Sequence, residues 1–149
     1  MNTKTRITLL NAGLLMARVT VGLIFIVHGW QKLTVFGHEG VTGMLQGFGV
    51  PFAPLAAVLL IALEFVGGIL FGVGALTRVI GVLFMVSMTV ALFTAHAAHG
   101  FFPDNGGYAY VLLLGVMGLA FALTGPGDFS IDRLAAQRVS RRETEKLSA

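Results

Sequence analysis

The sequence predicts an all-α membrane protein, with four transmembrane helices in an antiparallel bundle and a short cytoplasmic amphipathic helix at the C-terminus. Three observations carry this. Apolar residues make up 56% of the 149 residues and charged residues only 11%, with a mean hydropathy of +0.86; a soluble domain is about one quarter charged. Four apolar segments, at about residues 9–32, 54–76, 79–99 and 108–124, reach the roughly 17–25 residues that cross the hydrocarbon as a helix. Nearly all Lys and Arg residues stand at the ends of these segments, as positive-inside topology requires. A chain of this length is expected to form one domain.

The first segment opens after Lys4 and Arg6, which gives it a passing likeness to a signal peptide. Asn11 and Arg18 interrupt the run, and no small-x-small cleavage site follows, so a retained helix is expected. Residues 34–53, with five glycines from Gly37 to Gly49 and then Pro51, read as a loop. Thr77-Arg78 reads as a very short turn that makes a hairpin of the second and third helices. Pro103-Asp104-Asn105-Gly106-Gly107 is strong turn chemistry before the fourth, and Gly125-Pro126-Gly127 stops it. Ser130 or Asp128 can cap a last helix from Ile131 to about Lys146. Its Arg133, Arg138, Arg141, Arg142 and Lys146 suit an anionic membrane surface. Lys4, Arg6, Arg78 and this tail fall on one side and only Lys32 on the other, which places both termini in the cytoplasm of a bacterial inner membrane. Gly68-x-x-x-Gly72, and Gly115 with Gly118, permit close helix contact.

The net charge of +3 does not indicate nucleic acid, because the basic residues flank apolar segments instead of forming a soluble patch. The absence of cysteine excludes disulfides, thiolate metal sites and dithiol exchange. Any redox chemistry must then use a bound cofactor or a partner.

Arg18 and Glu64 are charges near the middle of apolar spans, where each costs at least ~3 kcal/mol unless partnered. Counting depth at 1.5 Å per residue sets both near the midplane, so an Arg18–Glu64 ion pair is expected. It could be a clamp that fixes helix register, or part of a proton or ligand site. On the first helix Asn11, Arg18, His28 and Lys32 fall within an arc of about 100°, which should face the bundle interior.

A second cluster lies toward the outer end: His28, Lys32, His96 and His99, with Tyr108 and Tyr110 at a comparable level. These residues could simply snorkel to the headgroups, together with Trp30. They could also form a pocket for a polar head with an apolar tail, which describes a quinone. His28 with His96 could ligate haem, and His96-x-x-His99 with His28 could hold a metal; the spacing permits both and specifies neither.

The run Arg18…Gly22-Leu23-Ile24-Phe25…His28-Gly29-Trp30-Gln31-Lys32-Leu33 resembles the first helix of DoxX-type membrane proteins. So do Glu64…Gly67-Gly68…Leu70…Gly72…Gly74…Thr77-Arg78, His96…His99-Gly100-Phe101-Phe102, and the closing Gly125-Pro126-Gly127-Asp128-Phe129-Ser130-Ile131-Asp132. The resemblance covers nearly the whole chain, in order. It implies a four-helix inner-membrane protein. Some members of that family are small subunits of membrane oxidoreductases that pass electrons to quinone, as in thiosulfate oxidation; others are linked to soluble redox partners. By this resemblance Arg18, His28, Lys32, Glu64, His96 and His99 are candidate functional positions. With the clusters above, Arg18 and Glu64 are expected as the catalytic pair, and His28, Lys32, His96, His99 and Tyr108 as the quinone-binding residues. The expectation is a quinone-linked subunit of a membrane oxidoreductase, in contact with lipid and with a soluble redox partner. The competing reading is a non-catalytic scaffold or small-solute carrier with a structural ion pair. Self-association into an oligomer is left open by both.

Overall fold

The computed structural model describes residues 2–147, with side chains as far as residue 140. The expected membrane-surface charges Arg141, Arg142 and Lys146 lie outside the described side chains. All secondary structure among the described residues is helical. Three helices are long and apolar enough to span a bilayer, and one more is apolar but shorter.

α1 runs Thr3–Gln31, 29 residues, and is capped by Asn2, whose side chain accepts from the Lys4 N–H. It starts earlier than the apolar run because nothing before residue 9 breaks a helix and Asn2 is a good cap. A π turn, Lys32–Phe36, continues it to Gly37. There φ is +65°, a left-handed value that glycine adopts without strain, and the chain changes direction.

The next element corrects the loop expected at residues 34–53. α2 occupies Gly37–Gly47. Val41, Thr42 and Leu45 share its inward face, and Val41 is only 1% exposed. Glycine costs a helix about 1 kcal/mol per residue; here an apolar face docked on the following helix outweighs that cost. The i, i+4 spacing of Val41 and Leu45 was the signal, and glycine content hid it.

The second long helix is continuous over Ala53–Val73: α3 (Ala53–Ala62), a π turn (Leu63–Gly67) and α4 (Gly68–Val73). The connection to the third is Gly74-Ala75-Leu76, so Thr77 and Arg78 already belong to the helix that follows. That helix is α5 (Thr77–Ala91), a π turn (Leu92–His96) and one 3-10 turn (Ala97–His99). α6 (Ala109–Thr124) and α7 (Ile131–Leu147) complete the chain. Ser130 caps α7, its Oγ accepting from the Arg133 N–H.

The helices pair through glycine. A Cβ on Gly29 would lie 2.5 Å from the Phe65 nitrogen, and one on Gly68 would lie 2.9 Å from the Gly22 carbonyl oxygen. Gly81 and Gly118 approach each other in the same way, with hypothetical Cβ atoms 2.6 and 2.7 Å from the opposing carbonyl oxygens. Four phenylalanines lock the centre: Phe25 stacks on Phe84 with centroids 3.6 Å apart, and Phe71 bridges Phe84 to Phe121 at 5.2 Å each. Outward positions such as Leu23, Leu55, Val82 and Leu113 stay exposed, a surface suited to lipid and not to water. Replacing Gly29 or Gly118 with valine should destabilise the fold by about 1–3 kcal/mol, because backbone, not a movable side chain, occupies the space. Thermal unfolding in detergent checks this, with Gly43→Val, which meets open space, as the comparison.

Candidate functional site

We call the end of the bundle where α4 and α6 stop the lower end. Arg18 sits there, 1% exposed, and each of its three guanidinium nitrogens donates one hydrogen bond. Nε donates to the Gly72 carbonyl at 3.2 Å, Nη1 to Pro126 at 2.6 Å and Nη2 to Phe129 at 2.8 Å. It therefore satisfies the carbonyl end of α4 and holds the Gly125-Pro126-Gly127 stop against it. Gly74 lacks a side chain because Arg18 Nη1 and Ser130 Cβ fill that place, 2.7 and 2.6 Å from any Cβ. Asn11 clamps Asp128 from below in both directions, at 2.7 and 3.0 Å. Asp132 accepts from the Leu76 and Thr77 N–H groups at 2.8 and 3.0 Å, capping α5 from another helix. Arg78 donates to the last carbonyls of α6, Ala122 and Leu123. The closing motif is thus a structural plug.

The expected Arg18–Glu64 ion pair does not form. Depth counted from residue 9 put Arg18 at mid-span, but the level of the lower end is set by where α4 and α6 stop, and Arg18 lies at that level. Glu64 is about 12 Å higher on the second helix. Its partner is Lys32, whose Nζ lies 2.7 Å from Oε2 and 3.0 Å from Oε1. Glu64 packs where Gly29 lets the two backbones touch, and the Lys32 stem reaches back along α1 to meet it. The pair is largely buried, with side-chain exposures of 15% and 5%.

This pair edges a cavity of about 800 Å³. α1 contributes Phe25 and His28, the π turn after it contributes Lys32, and the third helix contributes His96 and His99. Tyr110 closes it from α6, its ring 6.1 Å from that of His28. Most of the remaining lining is aliphatic. His28 Nδ1 lies 2.8 Å from the Ile24 carbonyl and His96 Nδ1 lies 2.7 Å from that of Gly106. A carbonyl partner requires the proton on Nδ1, so each neutral ring keeps Nε2 as an acceptor. The cavity therefore offers an ammonium and a phenol as donors and two imidazole nitrogens as acceptors. Among the described residues no three His, Asp or Glu side chains converge as metal ligands, so the His28–His96–His99 metal reading lacks its geometry.

Tyr108 is not part of this lining; its ring packs edge-on against Phe101 at 5.6 Å. Residues two apart on a helix diverge by about 200°, so only one of Tyr108 and Tyr110 can face inward. Met44, from α2, and Phe48, the residue that follows α2, also line the cavity and were missed because their segment read as a loop. Lys32, Glu64 and His96 each stand in one of the three π turns. A π turn inserts one residue and re-aims the side chains around it, and such turns gather at functional sites.

These features define a small helical membrane protein with a buried ion pair beside an apolar cavity edged by histidines. The chain belongs to the DoxX family: the family profile, described as DoxX, matches residues 13–97. It is 38% identical to "Inner membrane protein YqjF" of Escherichia coli (strain K12), over 83% of this chain and 92% of the relative. It is 36% identical to "Putative oxidoreductase CatD" of Bacillus subtilis (strain 168), over 80% and 84% of the two chains. "Inner membrane protein YphA" of Escherichia coli (strain K12) is 33% identical over 80% and 88%. No solved structure matches the chain.

Proposed function

We propose that this protein is a quinone-linked subunit of a membrane oxidoreductase system, and that the Lys32–Glu64 cavity receives the quinone head. The observation that supports it is the cavity's division into an aliphatic interior and one polar edge. Its volume lies within the roughly 300–1,000 Å³ of small-molecule sites. The donor set fits both forms of the ligand. The Lys32 ammonium and the Tyr110 hydroxyl can donate to carbonyl oxygens, and the bare Nε2 atoms of His28 and His96 can accept from the hydroxyls of the reduced form. Bound quinone supplies the electron chemistry; the chain holds and orients it, and the imidazoles and Glu64 take up or release protons. One relative carries "oxidoreductase" in its name, which agrees with this reading.

In this reading the four apolar helices cross the inner membrane alternately as an antiparallel bundle. The lower end, which holds Arg78 and Arg133, faces the cytoplasm together with both termini. α7 would lie on that surface, where a soluble redox partner can dock.

Equilibrium binding of a short-tailed benzoquinone by the purified protein in detergent tests the proposal. His28→Ala, and Lys32→Met combined with Glu64→Leu so that no buried charge is stranded, should each weaken binding about tenfold or more, the loss of a hydrogen bond to a charged or polar group in a dry site. Undiminished binding in both variants would remove quinone from the cavity. The Lys32–Glu64 pair is complete within the chain, which favours a non-catalytic scaffold as the second reading. That reading expects no saturable quinone binding by the native protein at all.

A further inference from the structure

The cavity has a polar edge and a packed back wall, but its remaining side is built from lipid-facing residues. α5 meets the second helix low down, where Ile80 and Phe84 lie against Gly67. Above that contact the two helices part. Leu59 on α3 and Leu83 and Val86 on α5 all line the cavity. Yet they are 60%, 45% and 48% exposed. Residues that line a cavity and are also half exposed stand at the rim of an opening. Phe25, which stacks on Phe84, forms the floor. α2 rests on α3 and brings Met44, and Phe48 just beyond its end, to the rim. Both walls of this gap are helices long and apolar enough to cross a membrane, so in a bilayer the opening would face hydrocarbon and not water.

We infer that the gap between α3 and α5 is a lateral portal, in which the ligand's apolar tail passes out into the bilayer while its head lies at the Lys32–Glu64 pair. This rests on the quinone reading above and goes beyond it by fixing the route and the ligand class: a ring head on a long, flexible isoprenoid-type chain, drawn from the membrane. A ring and the first part of its tail suit a volume of about 800 Å³. A long tail must leave through a wall, and the Leu59–Leu83 side offers it an apolar medium. A tail already in lipid needs no transfer out of it to bind, so the chain adds no desolvation cost and its far end needs no protein contact.

A benzoquinone with a diazirine at the end of a long alkyl tail, irradiated with the protein in lipid nanodiscs, tests this. The label should map to Leu59, Leu83 and Val86, and excess untagged quinone should reduce it about tenfold, as for a saturable site. Leu59→Trp combined with Leu83→Trp, at exposed positions that tolerate bulk, should lower the competed label similarly; Leu113→Trp, on α6 away from the gap, should not. Competed label on α6 or on residues 100–107, or label at the gap that excess quinone does not displace, would overturn the portal. Binding of tail-less benzoquinone separates the two ideas. If it is saturable and sensitive to His28→Ala while the label misses the gap, the portal alone fails. If no quinone binds saturably, the head site fails too.

Discussion

Replacing Lys32 with methionine is expected to unfold much of the protein in detergent, by on the order of 3–5 kcal/mol, because it strands the Glu64 carboxylate in a buried site with no counter-charge. Glu64→Leu strands the ammonium instead. Its effect should be smaller, since the Lys32 side chain is three times as exposed, 15% against 5%, and its long stem can carry the charge toward the headgroups. Lys32→Met combined with Glu64→Leu should recover stability to within about 1 kcal/mol of the native protein, because two apolar side chains of similar volume need no desolvation. Quinone binding should stay lost in the double variant. That separation of stability from ligand affinity is what a functional pair predicts and a purely structural clamp does not. A double-mutant cycle on denaturation in mixed micelles measures the coupling. Small single effects that simply add would show that the pair contributes little.

Arg18→Met should be as damaging, for a different reason. Three backbone carbonyls, those of Gly72, Pro126 and Phe129, lose their donor at once inside the lower end of the bundle. Each unsatisfied buried acceptor costs about 1–3 kcal/mol, and local relaxation should hold the total to on the order of 3–5 kcal/mol. Arg18→Lys should restore less than half of this, because one ammonium cannot reproduce a planar fork that spans three carbonyls. Hydrogen exchange should show the loss concentrated in residues 72–78 and 125–133, which the plug ties together. The folded fraction of Arg18→Met should still bind quinone, since Arg18 does not line the cavity. Loss of quinone affinity in that folded fraction would reinstate Arg18 as part of the site.

The two variants mark where the residues could be read and where they could not. His28, Lys32, His96 and His99 were legible as one group, because helical rise alone puts them near one end of their spans, and they do meet around one cavity. Arg18 and Glu64 were legible as charges in need of partners, and each has one. Which partner was not legible. The choice depended on the level at which α4 and α6 end and on the Gly29–Phe65 contact, neither of which is local to Arg18 or Glu64. Tyr110 could not be told from Tyr108 without knowing how α6 is rotated about its axis. α2 was lost because loop-forming glycines and a helical apolar spacing compete, and docking on α3 decides between them.

Apolar length, cap chemistry and charge placement are properties of a segment and its immediate neighbours. They were enough to set the all-helical class and the presence of several long apolar helices. Partner choice, side-chain rotation and the opening between α3 and α5 depend on helix tilt, on three π turns that each shift the facing by about one residue, and on contacts between segments far apart in the chain. Such contacts leave no periodic trace in any one segment, so only the assembled bundle decides them.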